Sequence, residues 1–214
     1  MNFTTLNSIR VQPSAHRVWV QYSEQVVAVI DPGHGIRALV RGVLDGGALI
    51  YWQGRLATAT SFALEYGVAL EEALRERGVR CVFATGETSD SLATAKVELN
   101  TGGGVQIVIS LRLLWSPSAG ERGFTVVVNG DPTLPFGWGV WSEMCRYLPC
   151  RSEPQIGLPQ SPVRSEYHAQ ALDIGLGYIT SPWDIQLIME PYWKLRVTEG
   201  LARVVERYLG VISC

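Results

Sequence analysis

The stretch VVAVIDPGHGI, residues 26–36, carries an apolar run into the turn Asp31-Pro32-Gly33-His34-Gly35. A continuous Val/Ile run of this kind suits a strand buried on both faces, and the Pro-Gly pair marks a sharp exit. The sequence therefore delivers one imidazole, His34, to the edge of a sheet. An imidazole there can ligate a metal or move a proton. Either role needs other groups that converge on it, because a lone imidazole does not hold zinc against water. Only two more histidines exist. His16 precedes an N-terminal strand and His168 sits in a Pro-rich stretch, so both read as ordinary surface or loop residues. Cys81 lies in a strand-like run and reads as a small core residue. Cys145 and Cys150 flank RYLP, which is no zinc-knuckle spacing. Structural thiols are expected there, with a disulfide as the alternative.

The elements that must position His34 alternate between strand and helix. HRVWVQYS alternates like a strand, and QVVAVIDPG is the buried strand that ends at the histidine turn. RGVLDGGALIYWQG places two apolar arms around Asp45-Gly46-Gly47, a hairpin signal. TSFALEYGVALEEALRERG is an amphipathic helix with Phe62, Tyr66, Ala69, Leu70, Ala73 and Leu74 on one face, closed by Gly78. VRCVFAT follows as a strand. SLATAKVELN reads as a short helix, VQIVISLRLL as a buried strand, and GFTVVVNGD as a strand ending in a turn. FGWGVWSEMCRYL reads as a helix and PQIGLPQSPVRSEY as a loop. ALDIGLGYITSP is the last strand. The remainder is helical and broken near Pro191, with Leu195, Thr198, Leu201, Ala202, Val205 and Tyr208 on one face. This alternation predicts a single three-layer α/β domain, a mainly parallel or mixed twisted sheet flanked by helices.

The 214 residues suit one sizeable domain, divided here into an N-terminal extension with one added strand, 1–25, and the main unit, 26–214. A formal charge of −2 and a pI near 5.9 give no footprint for nucleic acid or an anionic membrane. Charged residues are only 18% of the chain, against a usual ~25%, and there are seven Trp. A large core or a surface covered by a partner would each account for that balance. No apolar run approaches the ~18 residues of a membrane span. The first residues lack the basic and apolar regions of a signal peptide.

Several blocks, in order, resemble the zinc-dependent N-acetylmuramoyl-L-alanine amidases of the bacterial cell wall, the type whose first strand ends in Asp-Pro-Gly-His-Gly. The likeness runs from about Val26 to Leu209. It includes ALEEALRERGVRCVFAT, SLATAKVELN (with Lys96 where the family has Arg), IVISLRLLWSPSAGERGFTVVV and LDIGLGYITSPWDIQLIMEPYW. The resemblance implies an amidase-like fold and a site of two His and one Glu around zinc. The metal would activate a water and polarise an amide carbonyl, while a second Glu would serve as general base.

Carried over position by position, those roles mostly find other residue types. The first His is His34. Counting back from Gly78 puts the Glu ligand at Ala59, and the nearest downstream acid, Glu65, lies roughly 9 Å further along the helix. The second His falls on Arg112, which stays protonated and has no lone pair for a metal. Arg112 could instead bind a carboxylate or phosphate, or pair with Asp31. The general base falls on Gly175. Asp173 shares its face of the strand but lies ~6–7 Å away.

The resulting expectation is a catalytically inactive amidase-fold protein that binds no zinc. Asp31, His34, Arg112 and Asp173 would line a vestigial cleft. Its partners would be proteins of an assembly, copies of itself included, with peptidoglycan fragments as a further ligand and no nucleic acid or membrane. An amidase fold without an export signal suggests a bacteriophage virion component, located in the virion or the cytoplasm of the producing cell. Leu49, Ile50, Tyr51 and Trp52 are the expected interface residues. The alternatives are an active zinc amidase using His34, His168 and Glu65 or Asp173, and a peptidoglycan-binding module or regulator.

Overall fold

The computed structural model describes residues 19–21, 28–32, 49–52, 54–83, 98–100, 107–118, 120–148, 153–157 and 170–212. The turn beyond Pro32 lies outside them, as do all three histidines. In chain order the elements are β1 (Trp19–Gln21), β2 (Ala28–Asp31), β3 (Leu49–Trp52), β4 (Arg55–Thr58), α1 (Ala59–Glu76), β5 (Cys81–Phe83) and β6 (Glu98–Asn100). They continue with β7 (Ile107–Leu114), β8 (Thr125–Val128), α2 (Leu134–Met144), β9 (Gln155–Ile156), β10 (Gln170–Tyr178), α3 (Pro182–Ile188) and α4 (Pro191–Ile212).

The central sheet has six strands in the order β5-β2-β7-β10-β8-β9. The first four are mutually parallel, β8 runs antiparallel to β10, and β9 runs parallel to β8. The register stacks apolar residues onto one face. Ile30 pairs with Ile109, Leu172 with Ile109 and Val128, and Ile174 with Leu111 and Val126. Against this face pack Phe62, Tyr66 and Leu70 of α1, Phe136, Val140 and Met144 of α2, and Val197, Leu201 and Val205 of α4. The opposite face is covered too: Val29, Val108 and Ala171, which alternate onto it, are fully buried. The result is the expected mixed α/β sheet flanked by helices.

Local chemistry sets the helix ends. Thr58 caps α1, its hydroxyl accepting the Ser61 N–H at 3.0 Å while the Ser61 hydroxyl accepts the Thr58 N–H at 3.1 Å. At the other end, Gly78 N–H donates to the Arg75 carbonyl and Val79 N–H to the Leu74 carbonyl, each at 3.0 Å, so Gly78 ends the helix as the sequence indicates. The break before Pro191 separates α3 from α4. The Tyr66 hydroxyl donates to the Ile188 carbonyl at 3.1 Å and so ties α1 to α3. Arg203 meets the buried Glu143 at 2.7 Å and ties α4 to α2.

Several sequence expectations require correction. Residues 98–100 form a strand rather than the end of a helix, pairing in parallel with β1 in a separate two-stranded sheet. Val97 and Leu99 alternate with polar neighbours, and so short a segment fits a period of two as well as one of 3.6. Among the described residues β3 pairs antiparallel with β4, Trp52 with Arg55 and Leu49 with Thr58. The expected turn at Asp45-Gly46-Gly47 lies outside them. Gln155–Ile156, within the expected loop, adds the edge strand β9. On α4 the buried stripe begins at Val197, and Leu195 is exposed. Cys145 is disulfide-bonded rather than a free structural thiol, its partner lying outside the described residues.

Candidate functional site

The topology marks a crevice before any side chain is considered. After β2 the chain passes through α1 to β5 on one side, and β7 then enters on the other. Open α/β sheets bind ligands beyond the carboxyl ends of their strands at such a reversal. Asp31 ends β2 and Arg112 lies toward the end of β7, both at this point. Helix α1 must run antiparallel to the strands it connects, so Ala59, its first residue, lies toward the same end of the sheet.

Alternation along the strands then decides what faces the crevice side. The residues opposite the helix-packed face are Asp31 on β2, Ser110 and Arg112 on β7, Asp173 and Gly175 on β10, and Thr125 on β8. Ser110 sits in register with both Asp31 and Asp173, and Gly175 with both Arg112 and Thr125. The Ser110 hydroxyl donates to Asp31 Oδ2 at 3.2 Å. Arg112 Nε donates to Asp173 Oδ1 at 3.3 Å. Asp31 and Asp173 are buried, at 2% and 6% exposure, and the Arg112 side chain keeps 19% of its surface.

Asp31, Arg112 and Asp173, all expected in the cleft, are therefore brought onto one face. The pairing differs from the one first suggested. Arg112 engages Asp173, not Asp31, because Ser110 stands across from Asp31 and takes it.

Gly175 is a filled position as well as a small one. A Cβ there would lie 2.3 Å from Thr125 Oγ1 and 2.6 Å from Leu114 Cδ1. Those side chains occupy the space that a larger residue at 175 would enter. Ala59 offers no donor atom, and the Arg112 guanidinium has no lone pair and would repel a dication. These two residues do not fit the zinc that the fold resemblance implies. Glu65, the nearest acid to Ala59, is turned away, its carboxylate 3.0 Å from Lys194 Nζ on α4.

One structural carboxylate escaped the sequence reading. Asp184, buried on α3, accepts the N–H of Gly123 and the N–H of Tyr178 on the same oxygen, Oδ2, each at 2.8 Å. It fastens the exit of β10 to the loop entering β8. The motif Ser181-Pro-Trp-Asp184 is readable as a helix start, since the Ser181 hydroxyl accepts the Asp184 N–H at 3.3 Å. Nothing in it signals the reach to Gly123, 61 residues away. Ser110 also escaped, because its role depends on cross-strand register. Burial also shifts the titration of side chains that lie away from the crevice. Burial, aided by Glu65, raises the Tyr66 phenol well above its usual range. Burial, aided by Glu71, raises the Cys81 thiol to about 11.

The interface candidates divide by alternation. Ile50 points into the core at 4% exposure and Tyr51 stands out at 72%. The side chains of Leu49 and Trp52 are outside the described set.

No family model and no curated protein matches the sequence. The fold, however, is that of N-acetylmuramoyl-L-alanine amidases. The chain is similar to the catalytic domain of CwlV from Bacillus (Paenibacillus) polymyxa var. colistinus, with a TM-score of 0.66 and 19% identity over 87% of this chain and 99% of that one. It is similar to AmiC2 of Nostoc punctiforme, with a TM-score of 0.65 and 18% identity over 86% and 97% of the two chains. It is also similar to the CwlD amidase from Clostridioides difficile, solved in complex with the GerS lipoprotein, with a TM-score of 0.67 and 13% identity over 87% and 100%.

Proposed function

We propose that this chain is an amidase-fold protein that has given up amidase chemistry and serves as a binding or structural component. The observation that carries the reading is the closed general-base position: at Gly175 even a methyl group would meet Thr125 and Leu114. The residues at two ligand positions, Ala59 and Arg112, reinforce it. No zinc is expected in the folded protein. Purification with excess zinc, followed by elemental analysis and a peptidoglycan-hydrolysis assay, tests this. The expected result is substoichiometric metal and no release of stem peptide. About one zinc per chain, lost on His34→Ala, would overturn it.

The binding partner in this reading is protein, within an assembly such as a bacteriophage tail, baseplate or capsid. Support comes from the low charge content and from large aromatic side chains left on the surface, Tyr51, Trp115, Trp183 and Tyr192 among them. CwlD, which shares the fold, itself occurs in complex with a protein partner. Tyr51 is the proposed hairpin contact, because it projects from a two-stranded ribbon whose next residue back, Ile50, is locked in the core. Tyr51→Ala should leave the melting temperature within a few degrees and reduce self-association or capture of the assembly partner, read by sedimentation. Unchanged assembly would remove the hairpin from the interface.

A further inference from the structure

We propose that the groove between the end of α2 and the first half of α4 docks an acidic segment of a partner protein, one that presents a side-chain carboxylate next to an apolar residue. This rests on the reading above, that the chain's partner is protein, and assigns the chemistry of one contact. Tyr192, Leu195, Arg196, Glu199 and Arg203 recur at three- and four-residue spacing, so they share one face of α4, opposite the buried Val197, Leu201 and Val205. Tyr147, just beyond α2, completes with them the lining of a groove of about 310 Å³. Its rim is apolar and open, with Tyr192 63% and Leu195 56% exposed. The groove lies on the outer side of the helix layer, away from the sheet face that carries Arg112 and Asp173.

Charge selects the occupant. The Arg196 guanidinium carbon lies 4.7 Å from the centre of the Tyr192 ring and 5.4 Å from that of Tyr147, and its Nη2 donates to the Tyr192 hydroxyl. Ring faces hold a guanidinium in place but leave its unit charge without a counterion. Among the described residues Arg196 meets no carboxylate. Its neighbour Arg203 is committed to Glu143 at 2.7 Å, and Glu199, the acid in the lining, is shared by Arg77 and Arg203. The groove therefore has a cation to spare, and one incoming carboxylate would complete it. A polyanion fits less well, because Glu199 and Glu143 stand beside the same cluster and the whole chain carries −2. Leu195 and the two rings offer apolar surface to the residue beside that carboxylate. Tyr and Arg are the types that dominate binding at protein contacts, and here the arginine is braced in advance, which lowers the ordering cost.

The test titrates the intact protein with the capped tripeptide acetyl-Leu-Glu-Leu-amide into the millimolar range at constant ionic strength, following the Arg196 Nε–H and the ring protons of Tyr147 and Tyr192 by NMR. These should shift saturably, while the Arg112 Nε–H at the crevice stays in place. The neutral analogue acetyl-Leu-Gln-Leu-amide should bind about threefold more weakly or worse. Sodium acetate, which lacks the apolar neighbours, should also bind more weakly than the Glu peptide. Arg196→Gln, at an exposed position, should leave the melting temperature unchanged and bring the Glu peptide down to the level of the Gln peptide. Arg196→Lys keeps the charge and should retain most of the affinity, and Leu195→Ala should weaken both peptides alike. A flat titration with the Glu peptide, equal binding of the Glu and Gln peptides, or shifts at Arg112 in place of Arg196 would each overturn the site. So would self-association that is lost on Arg196→Gln without any response to the Glu peptide, which gives the groove to a second copy. A parallel peptidoglycan-hydrolysis assay separates the two readings: turnover defeats the proposed function, while a flat titration without turnover defeats only this site.

Discussion

Replacing Gly175 by Ala adds one methyl group at the position to which the sequence resemblance carries a general base. The ideal Cβ lies 2.3 Å from Thr125 Oγ1, 2.6 Å from Leu114 Cδ1 and 2.8 Å from Leu114 Cγ. Ordinary carbon contacts lie near ~3.5–4.0 Å, so each neighbour must retreat by about an ångström. The terminal methyl of Leu114 can swing, but Thr125 is β-branched with restricted χ1, and its backbone is paired to β10 opposite Gly175. Overpacking of this kind costs about 1–3 kcal/mol, and the fixed partner argues for the upper half. Urea unfolding at neutral pH measures it. Thr125→Ala removes the tightest contact, so the double variant should recover about 1 kcal/mol relative to the sum of the two single changes. A neutral or stabilising Gly175→Ala, or strictly additive changes, would refute the claim that this position is closed.

Two further outcomes follow from the same coordinates. Asp184→Ala strands two buried N–H groups and should cost about 2–5 kcal/mol. Asp184→Asn should cost less than half of that, because both donors meet one oxygen that an amide carbonyl can replace; equal losses in urea unfolding would contradict this. Cys81, whose thiol is pushed from 9.0 up to about 11 by burial, should be alkylated by iodoacetamide about 100-fold more slowly at pH 8 than an ordinary thiol. Its rate should still climb at pH 10, and a plateau near pH 9 would count against it. The sign for folding is the same: the protonated thiol favours the native state fully below pH 9, and that contribution fades as pH rises through about 11.

The order of elements was legible in the sequence because most segments obey one period over enough residues. Helix α1 states its face through Phe62, Tyr66 and Leu70 and its end through Gly78. The α3–α4 break is stated by Pro191. Legibility failed where segments are short or where meaning is carried across the sheet. Residues 98–100 satisfy both periods. Leu195 fits the helical period of α4, yet it lies in the first turn, before the helix reaches the core. The site was legible as a set of residue types. Arg112 could be placed at the crevice, but its partner is decided by the mutual register of β2, β7 and β10, separated by tens of residues. Gly175 could be read as a missing carboxylate, but not as a space already filled.

That filling couples the positions to one another. Arg112 and Asp173 form an ion pair on a mostly buried face, where removing one partner of such a pair is costly. Thr125 and Leu114 close the volume beside Gly175. A metal site installed one residue at a time would meet resistance at each step. Histidine at 112 would remove the ion pair with Asp173, and glutamate at 175 would collide with Thr125. Each local choice supports the others, which is the mark of a sequence settled on one arrangement. Thr125 and Leu114 fill the space at Gly175, so a larger side chain there requires both neighbours to change with it.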